Sequence, residues 1–572
     1  MTLDNIKSFF TIIFSFDERY PLLFTQFYFW AFFAIVFAVF SLIGNRRLLR
    51  NAFLFFASLF FYYKTSGLFV LILIFSTLYG FFIGKRIGNL SQSSWRKFYL
   101  ILGVFINLFL LCYFKYAYFF TDAYNSLFHT NYEVVNYLAK WTNELAGTTR
   151  FDASKILLPV GISFYTFQNI SYLVDIYKKK VLPVSNILDF GFYTCFFPGL
   201  VAGPIVRANQ FIPQLYKKFH LSRKQFGIAV FWILNGLIKK LILSDYLAVN
   251  FVDRVFNNPN LFTGFENLSA LFLYSLQVYA DFSGYTDIAI GVAMLMGFYL
   301  PMNFNSPYKA TNCGNFWRRW HISLSTWLKD YLYIPLGGSR KGKVRTQVNL
   351  MVTMLLGGLW HGASWNFMIW GGLNGVGILT FKLWRTMKKY ARTLLTFAGF
   401  LLFFCLNYFF PNPAFVIGSV WLGVIFAGTF LDQLYSLFAK NKPIVWLNRG
   451  WSIFLTFVFI TFTRLFFRSG SNLDPAEASR VAWETARNMI TRIGGKWQVD
   501  LIPQILHEYM FVFILFAIGM IIHWLPEKWK RWYRVNFAMM PLWLMAIVVI
   551  GTVFVVYQFV TADLQPFIYF QF

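Results

Sequence analysis

Two histidines stand where an imidazole could do chemistry. His361 lies in an uncharged run from Thr346 to Phe381, beside Gly357, Gly358 and Gly362. His321 lies in an aromatic and basic tract from Phe316 to Tyr331. An ionisable side chain inside a membrane is costly and marks a functional site by default. An imidazole in that position can take a proton from a hydroxyl as general base. The bland alternatives are a helix-linking His361 bonded to a neighbour, and a His321 that anchors at the interface with the tryptophans around it. Arg318 and Lys329 flank His321 together with Ser325, and those cations could hold the phosphates of an anionic donor arriving from the cytoplasm. Asp281 and Asp287, in Asp281-Phe282-Ser283-Gly284-Tyr285-Thr286-Asp287, are the other costly side chains. A buried carboxylate needs a partner, and Arg207, Arg318 and Arg319 are the candidates. The two acids are structural ion-pair members on one reading and a proton relay on the other. The sequence has no Gly-rich phosphate loop, HExxH, GxSxG or clustered metal ligands, so no metal is expected.

The elements that must position these residues are read from charge. Arg340, Lys341, Lys343 and Arg345 close the His361 run on one side, and Lys382, Arg385, Lys388, Lys389 and Arg392 on the other. Basic residues beside membrane segments prefer the cytoplasm. A run of about 36 residues exceeds one span of roughly 20. It therefore predicts a hairpin with His361 near its apex. The His321 tract predicts one interfacial helix. At 100° per residue Trp317, Trp320, Leu324, Trp327, Leu328 and Tyr331 share a face, with Arg319 and Asp330 opposite. Thr311, Asn312 or Asn315 can cap its start, and Pro335, Gly337 and Gly338 end it.

Composition sets the class. With 58% hydrophobic and 13% charged residues, the chain is all-α and polytopic, with roughly 11–13 membrane helices including re-entrant hairpins. A net charge of +28 would suggest nucleic acid in a soluble protein. Here Lys and Arg gather in alternate loops, which favours anionic lipid head groups and excludes nucleic acid. The four cysteines include no CxxC pair, and no signal peptide is expected. Charge bias predicts both termini outside, Asp189–Val206 as a broken re-entrant piece, and external segments at Thr121–Lys155 and Ser469–Pro503. Lys239 and Lys240 find no place in this topology.

Leu158–Gln168, Phe197–Arg207, Asp281–Asp287, Asn303–Tyr308, Trp320–Ser325 and Leu359–Ala363, in that order, resemble the membrane-bound O-acyltransferase family. The likeness is to its bacterial polysaccharide branch, and more distantly to the D-alanyl transfer proteins of teichoic acid modification. It is dense over about 150–400 and rests on hydropathy elsewhere. This suggests N-terminal membrane helices and an external loop over 1–150, a catalytic core over 151–400 and C-terminal helices over 401–572. Ala280 and Thr286 depart mildly from the commonest motif, which leaves the substrate branch open. The resemblance implies a helical ring around a central tunnel, His361 as catalytic histidine and His321 as the second signature histidine. Arg318, Ser325, Lys329, Trp320 and Trp360 are then candidates for donor binding or the tunnel.

The expected activity is transfer of an acyl group, most simply acetyl, to hydroxyls of an extracytoplasmic polysaccharide. The co-substrate is acetyl-CoA or another acyl donor, with no bound cofactor. The external segments are too short for a substrate-processing domain, so a partner of the SGNH acetyltransferase or esterase type is expected outside the inner membrane. The competing class is a transporter or lipid translocase using Asp281 and Asp287. It predicts pseudo-symmetric halves, which the sequence does not show. Within the family, D-alanyl transfer from a carrier protein is the alternative, and a pure scaffold would not need two histidines at these depths.

Overall fold

The computed structural model describes residues 15–16, 21–149, 151–438, 444–468, 475–559 and 568. The expectations resting on Asp4, Asp17, Glu18 and Arg19, on Lys440 and Lys442, and on the end of the chain lie outside the described residues.

All regular structure among the described residues is helical, as apolar runs of spanning length require. With no water to satisfy backbone groups in lipid, a helix closes its own hydrogen bonds. Among the described residues, seven helical stretches are long and apolar enough to cross a membrane: Arg47–Asn89, Ser93–Phe128, Arg223–Asn257, Lys389–Phe409, Pro413–Phe438, Val445–Phe466 and Leu542–Phe559. An eighth arises if Val499–Glu508 and Met510–Trp524, bent by 82°, form one broken span. Phe27–Ile43 is apolar but shorter. The chain is a polytopic membrane protein. The two helices of the His361 hairpin fall outside this set, and they carry the polar side chains Asn349, Thr353, Asn366 and Asn374 buried in protein.

The chain divides into two compact units. The first takes the chain up to Leu237 with Gly284–Met302 and Trp532–Val553. Its core is aromatic: Phe24 stacks on Tyr285 at 4.5 Å, and Phe61 and Phe197 lie 5.5 Å apart. Buried polar side chains tie its helices. Asn51 donates to Asp189 at 2.8 Å, Arg50 to the Leu215 carbonyl at 2.7 Å, and the Tyr62 hydroxyl to the Val160 carbonyl at 2.8 Å. The break after helix Arg47–Ser66 falls at Gly67, whose φ of +59° suits glycine. The stretch Asp189–Val206 is broken as expected, into Ile187–Cys195 and Phe197–Leu200.

The second unit takes Ile238–Ser283, Asn303–Arg531 and the chain from Phe554. It holds both histidines. Helix Lys343–His361 and helix Trp365–Thr386 form the expected hairpin. The two lie close because Gly358 faces the Phe367 carbonyl and the Gly371 backbone, where any Cβ would collide.

The His321 tract is not one helix. It divides into Cys313–Trp317, a turn, and Ile322–Leu328, continued by a π-helical turn over Lys329–Tyr333. Asn312 caps the first piece by accepting from the Asn315 amide at 2.8 Å. Two of its tryptophans do not face outward as an interfacial helix requires: Trp320 and Trp327 are buried against protein. The periodicity reflected a face packed in the interior, which has the same apolar pattern as one facing lipid.

Candidate active site

The break occurs at His321 itself, whose φ of 41° and ψ of 58° are left-handed. A non-glycine residue held in that region costs on the order of 1–3 kcal/mol and persists only where its surroundings fix it. They do: the Ile322 amide donates to the Asn303 carbonyl at 2.9 Å, and the Ser323 hydroxyl to Asn303 Oδ1 at 2.6 Å. The Ser325 amide closes the first helical turn on the His321 carbonyl at 2.9 Å. The turn aims the imidazole inward, where it is fully buried and meets Phe282 edge-on at 4.6 Å. Burial pushes its pKa down to about 3, so the ring is neutral at physiological pH.

His361 is the last residue of its helix and is also buried. Its ring sits among Trp360 at 5.0 Å, Trp370 at 5.1 Å and Phe467 at 5.5 Å, and 6.2 Å from the ring of His321. Trp360 also lies 5.7 Å from His321. Two imidazoles from separate elements thus face one aromatic chamber.

Beside it is a largely apolar cavity of about 250 Å³, whose lining includes Trp317, Leu324, Ser325, Lys329, His361 and Trp370. Trp317 is held by its Nε1 donating to Asn374 Oδ1 at 3.3 Å. The cavity's size and apolar lining suit a small apolar group, with Lys329 as the cation in its lining. Arg318 is not brought to it. That side chain is exposed and donates to the Gly314 carbonyl at 3.3 Å.

Trp320 is buried and does not line this cavity. It stacks on Phe316 at 5.5 Å, and the buried guanidinium of Arg464 lies 4.6 Å from its ring. Arg464 also donates to the Tyr308 hydroxyl at 3.2 Å. Neither Arg464, Phe467 nor Trp370 stood out in the sequence. Arg464 could have, as a lone arginine at the end of a long apolar run.

The acids find other partners than those expected. Asp281 pairs with Lys240 at 2.7 Å, and Lys240 also reaches Asp245 at 2.8 Å. Asp281 further accepts from the Ile568 amide at 2.9 Å. Asp287 accepts from Asn235 at 2.6 Å. The arginines proposed for Asp281 are replaced by a lysine from a neighbouring helical stretch, which also gives Lys240 its place. Through Phe282, the residue after Asp281, this ion-paired segment touches His321.

Residues 178–416, which contain both histidines, match the model of the membrane-bound O-acyltransferase family. The chain is 41% identical over 346 residues to a Pseudomonas aeruginosa protein named probable alginate O-acetylase AlgI, covering 60% of this chain and 63% of that one. It is 35% identical over 375 residues to the peptidoglycan O-acetyltransferase of Helicobacter pylori, covering 60% and 67%. It is 27% identical over 247 residues to the teichoic acid D-alanyltransferase of Bacillus subtilis, covering 40% and 60%. The match thus spans a little under two thirds of the first relative and two thirds of the second. Motif order, helical architecture and these likenesses agree: the chain belongs to the membrane-bound O-acyltransferase family.

Proposed function

We propose that this protein transfers an acyl group, acetyl in the simplest case, from a cytoplasmic donor to hydroxyls on an extracytoplasmic polysaccharide. The observation that carries the reading is the pair of buried imidazoles 6.2 Å apart beside an apolar cavity of about 250 Å³. His361 acts as general base toward the acceptor hydroxyl. Neutral His321, held by its strained turn, orients the reacting groups. Trp360 and Trp370 exclude water, and Lys329 and Ser325 meet the polar part of the donor. Lys240, Asp245 and Asp281 are structural, since the triad lies behind Phe282. The likeness to proteins named for O-acetylation of alginate and peptidoglycan supports a polysaccharide acceptor and an acetyl group, and acetyl-CoA is the simplest co-substrate that would supply it.

In this reading the protein sits in the inner membrane with both termini outside, and a ring of helices surrounds the path of the acyl group. An extracytoplasmic SGNH-type partner receives the acyl group on a serine and completes transfer. Purified protein in proteoliposomes should consume acetyl-CoA only when partner or polysaccharide is supplied on the opposite face. Consumption with an acyl-loaded carrier protein but not with acetyl-CoA would move the chain to the alanyl-transfer branch. Absence of transfer from either donor class would remove the reading.

A further inference from the structure

A second cluster of charge lies on residues that do not line the His361 cavity. Lys530 Nζ donates to Ser306 Oγ at 2.7 Å and to the His523 carbonyl at 2.8 Å. Lys309 Nζ donates to the Leu525 carbonyl at 2.6 Å. Arg319 donates to the Asn305 carbonyl at 2.9 Å. The Lys239 ammonium stands 5.5 Å from the centroid of Tyr279, and that ring lies 4.6 Å from His523. Four half-buried cations therefore converge on the turn Asn305–Lys309 and the end of helix Met510–Trp524.

Capping explains only part of this. The carbonyls of His523 and Leu525 end a helix, where one cation suffices. An ammonium carries three donors, of which Lys530 uses two and Lys309 one. Among the described residues no carboxylate lies within salt-bridge distance of Lys309 or Lys530. The acid whose field reaches both is Glu527, which is exposed. Burial, then the neighbouring Lys309 and Lys239, lowers Lys530 to about 8. Burial likewise lowers Lys309, with Arg319 and Arg449 adding to the repulsion. Like charges gathered in a half-buried site favour a bound anion, and basic clusters beside membrane segments face the cytoplasm.

We infer that Lys239, Lys309, Lys530 and Arg319 bind a phosphate group, carried either by an anionic phospholipid headgroup or by a soluble phosphate ester. The full chain in phosphatidylcholine nanodiscs distinguishes the sources. One arm adds phosphatidylglycerol to the disc and follows the thermal midpoint. The other adds adenosine 3′,5′-bisphosphate and follows binding by calorimetry. At least one arm should respond in the wild type. Lys309→Gln with Lys530→Gln should weaken that response about tenfold or more, and Lys343→Gln, at an exposed lysine elsewhere, should not. A response in the first arm assigns the headgroup, and one in the second assigns the soluble ester. If neither arm responds, or the double variant responds like wild type, the lysines only cap the helix and the inference fails. Should the double variant not fold, the wild type carries the test. Its response should weaken between pH 7 and pH 9 as Lys530 loses its proton, against the fixed charges of Arg319 and Arg449. A response unchanged over that range would overturn the inference.

Discussion

Replacing Lys240 by methionine removes the ammonium that bridges Asp245 and Asp281. The group is 5% exposed, and Asp281 is fully buried. With contacts of 2.7 and 2.8 Å, each attraction is on the order of 6 kcal/mol at an effective dielectric near 20. Desolvation of three charges offsets most of that in the wild type. Removing the cation leaves two acids buried without it, which costs about 3–5 kcal/mol for a broken buried pair. Thermal unfolding of the purified protein in detergent, followed by tryptophan fluorescence, should show a midpoint lower by several degrees. Adding Asp245→Asn and Asp281→Asn to Lys240→Met should restore stability to within about 1 kcal/mol, because a neutral set is often no worse than the ionic one. A single variant as stable as wild type would refute the triad's role. So would a triple variant as unstable as the single. If the triple variant is stable but no longer transfers acyl groups, the acids are a relay and not a brace.

Gly358→Val should force the hairpin helices apart and cost about 1–3 kcal/mol, read as a lower unfolding midpoint; an unchanged midpoint would contradict the close approach. His321 has a folded pKa lowered to about 3 by burial. Its contribution to stability is present above the unfolded value near 6.5 and is lost as pH falls below it, by at most about 1.4 kcal/mol per pH unit. His321→Gln should therefore lose less stability than wild type between pH 7 and pH 5, and parallel losses would refute the neutral assignment. Cysteines at the exposed positions Lys341 and Lys388, with Cys405 replaced, should resist impermeant thiol reagents in intact cells. Labelling of either from outside would break the hairpin topology.

The hairpin was legible because its signal is local. Basic clusters mark its two ends, and the uncharged length between them fits two helices. The His321 tract was legible as to residues but not as to shape. A left-handed residue at 321 leaves the apolar spacing on either side nearly unchanged, so periodicity cannot tell a broken helix from a whole one. Its fixing partner, Asn303, lies in a segment with no periodic pattern. The pairing of Lys240 with Asp281 was invisible because charge counting assigns lysines to loops, whereas this one is neutralised within the helical bundle. Arg464 over Trp320 and Phe467 beside His361 depend on helix packing across long sequence separations. Such contacts are set by tertiary geometry that composition and spacing do not encode.

His361 carries the proposed chemistry, and the most direct measurement of its role separates donor binding from turnover in one preparation. Purified wild type and His361→Ala are compared for acyl-donor affinity and for the rate of transfer to a supplied acceptor. A general base acts on the acceptor proton and contributes about 10²–10⁴-fold. Transfer should fall by that factor while donor affinity stays within about threefold of wild type. Transfer by His361→Ala at a rate near wild type would contradict the assignment and leave this histidine a packing residue.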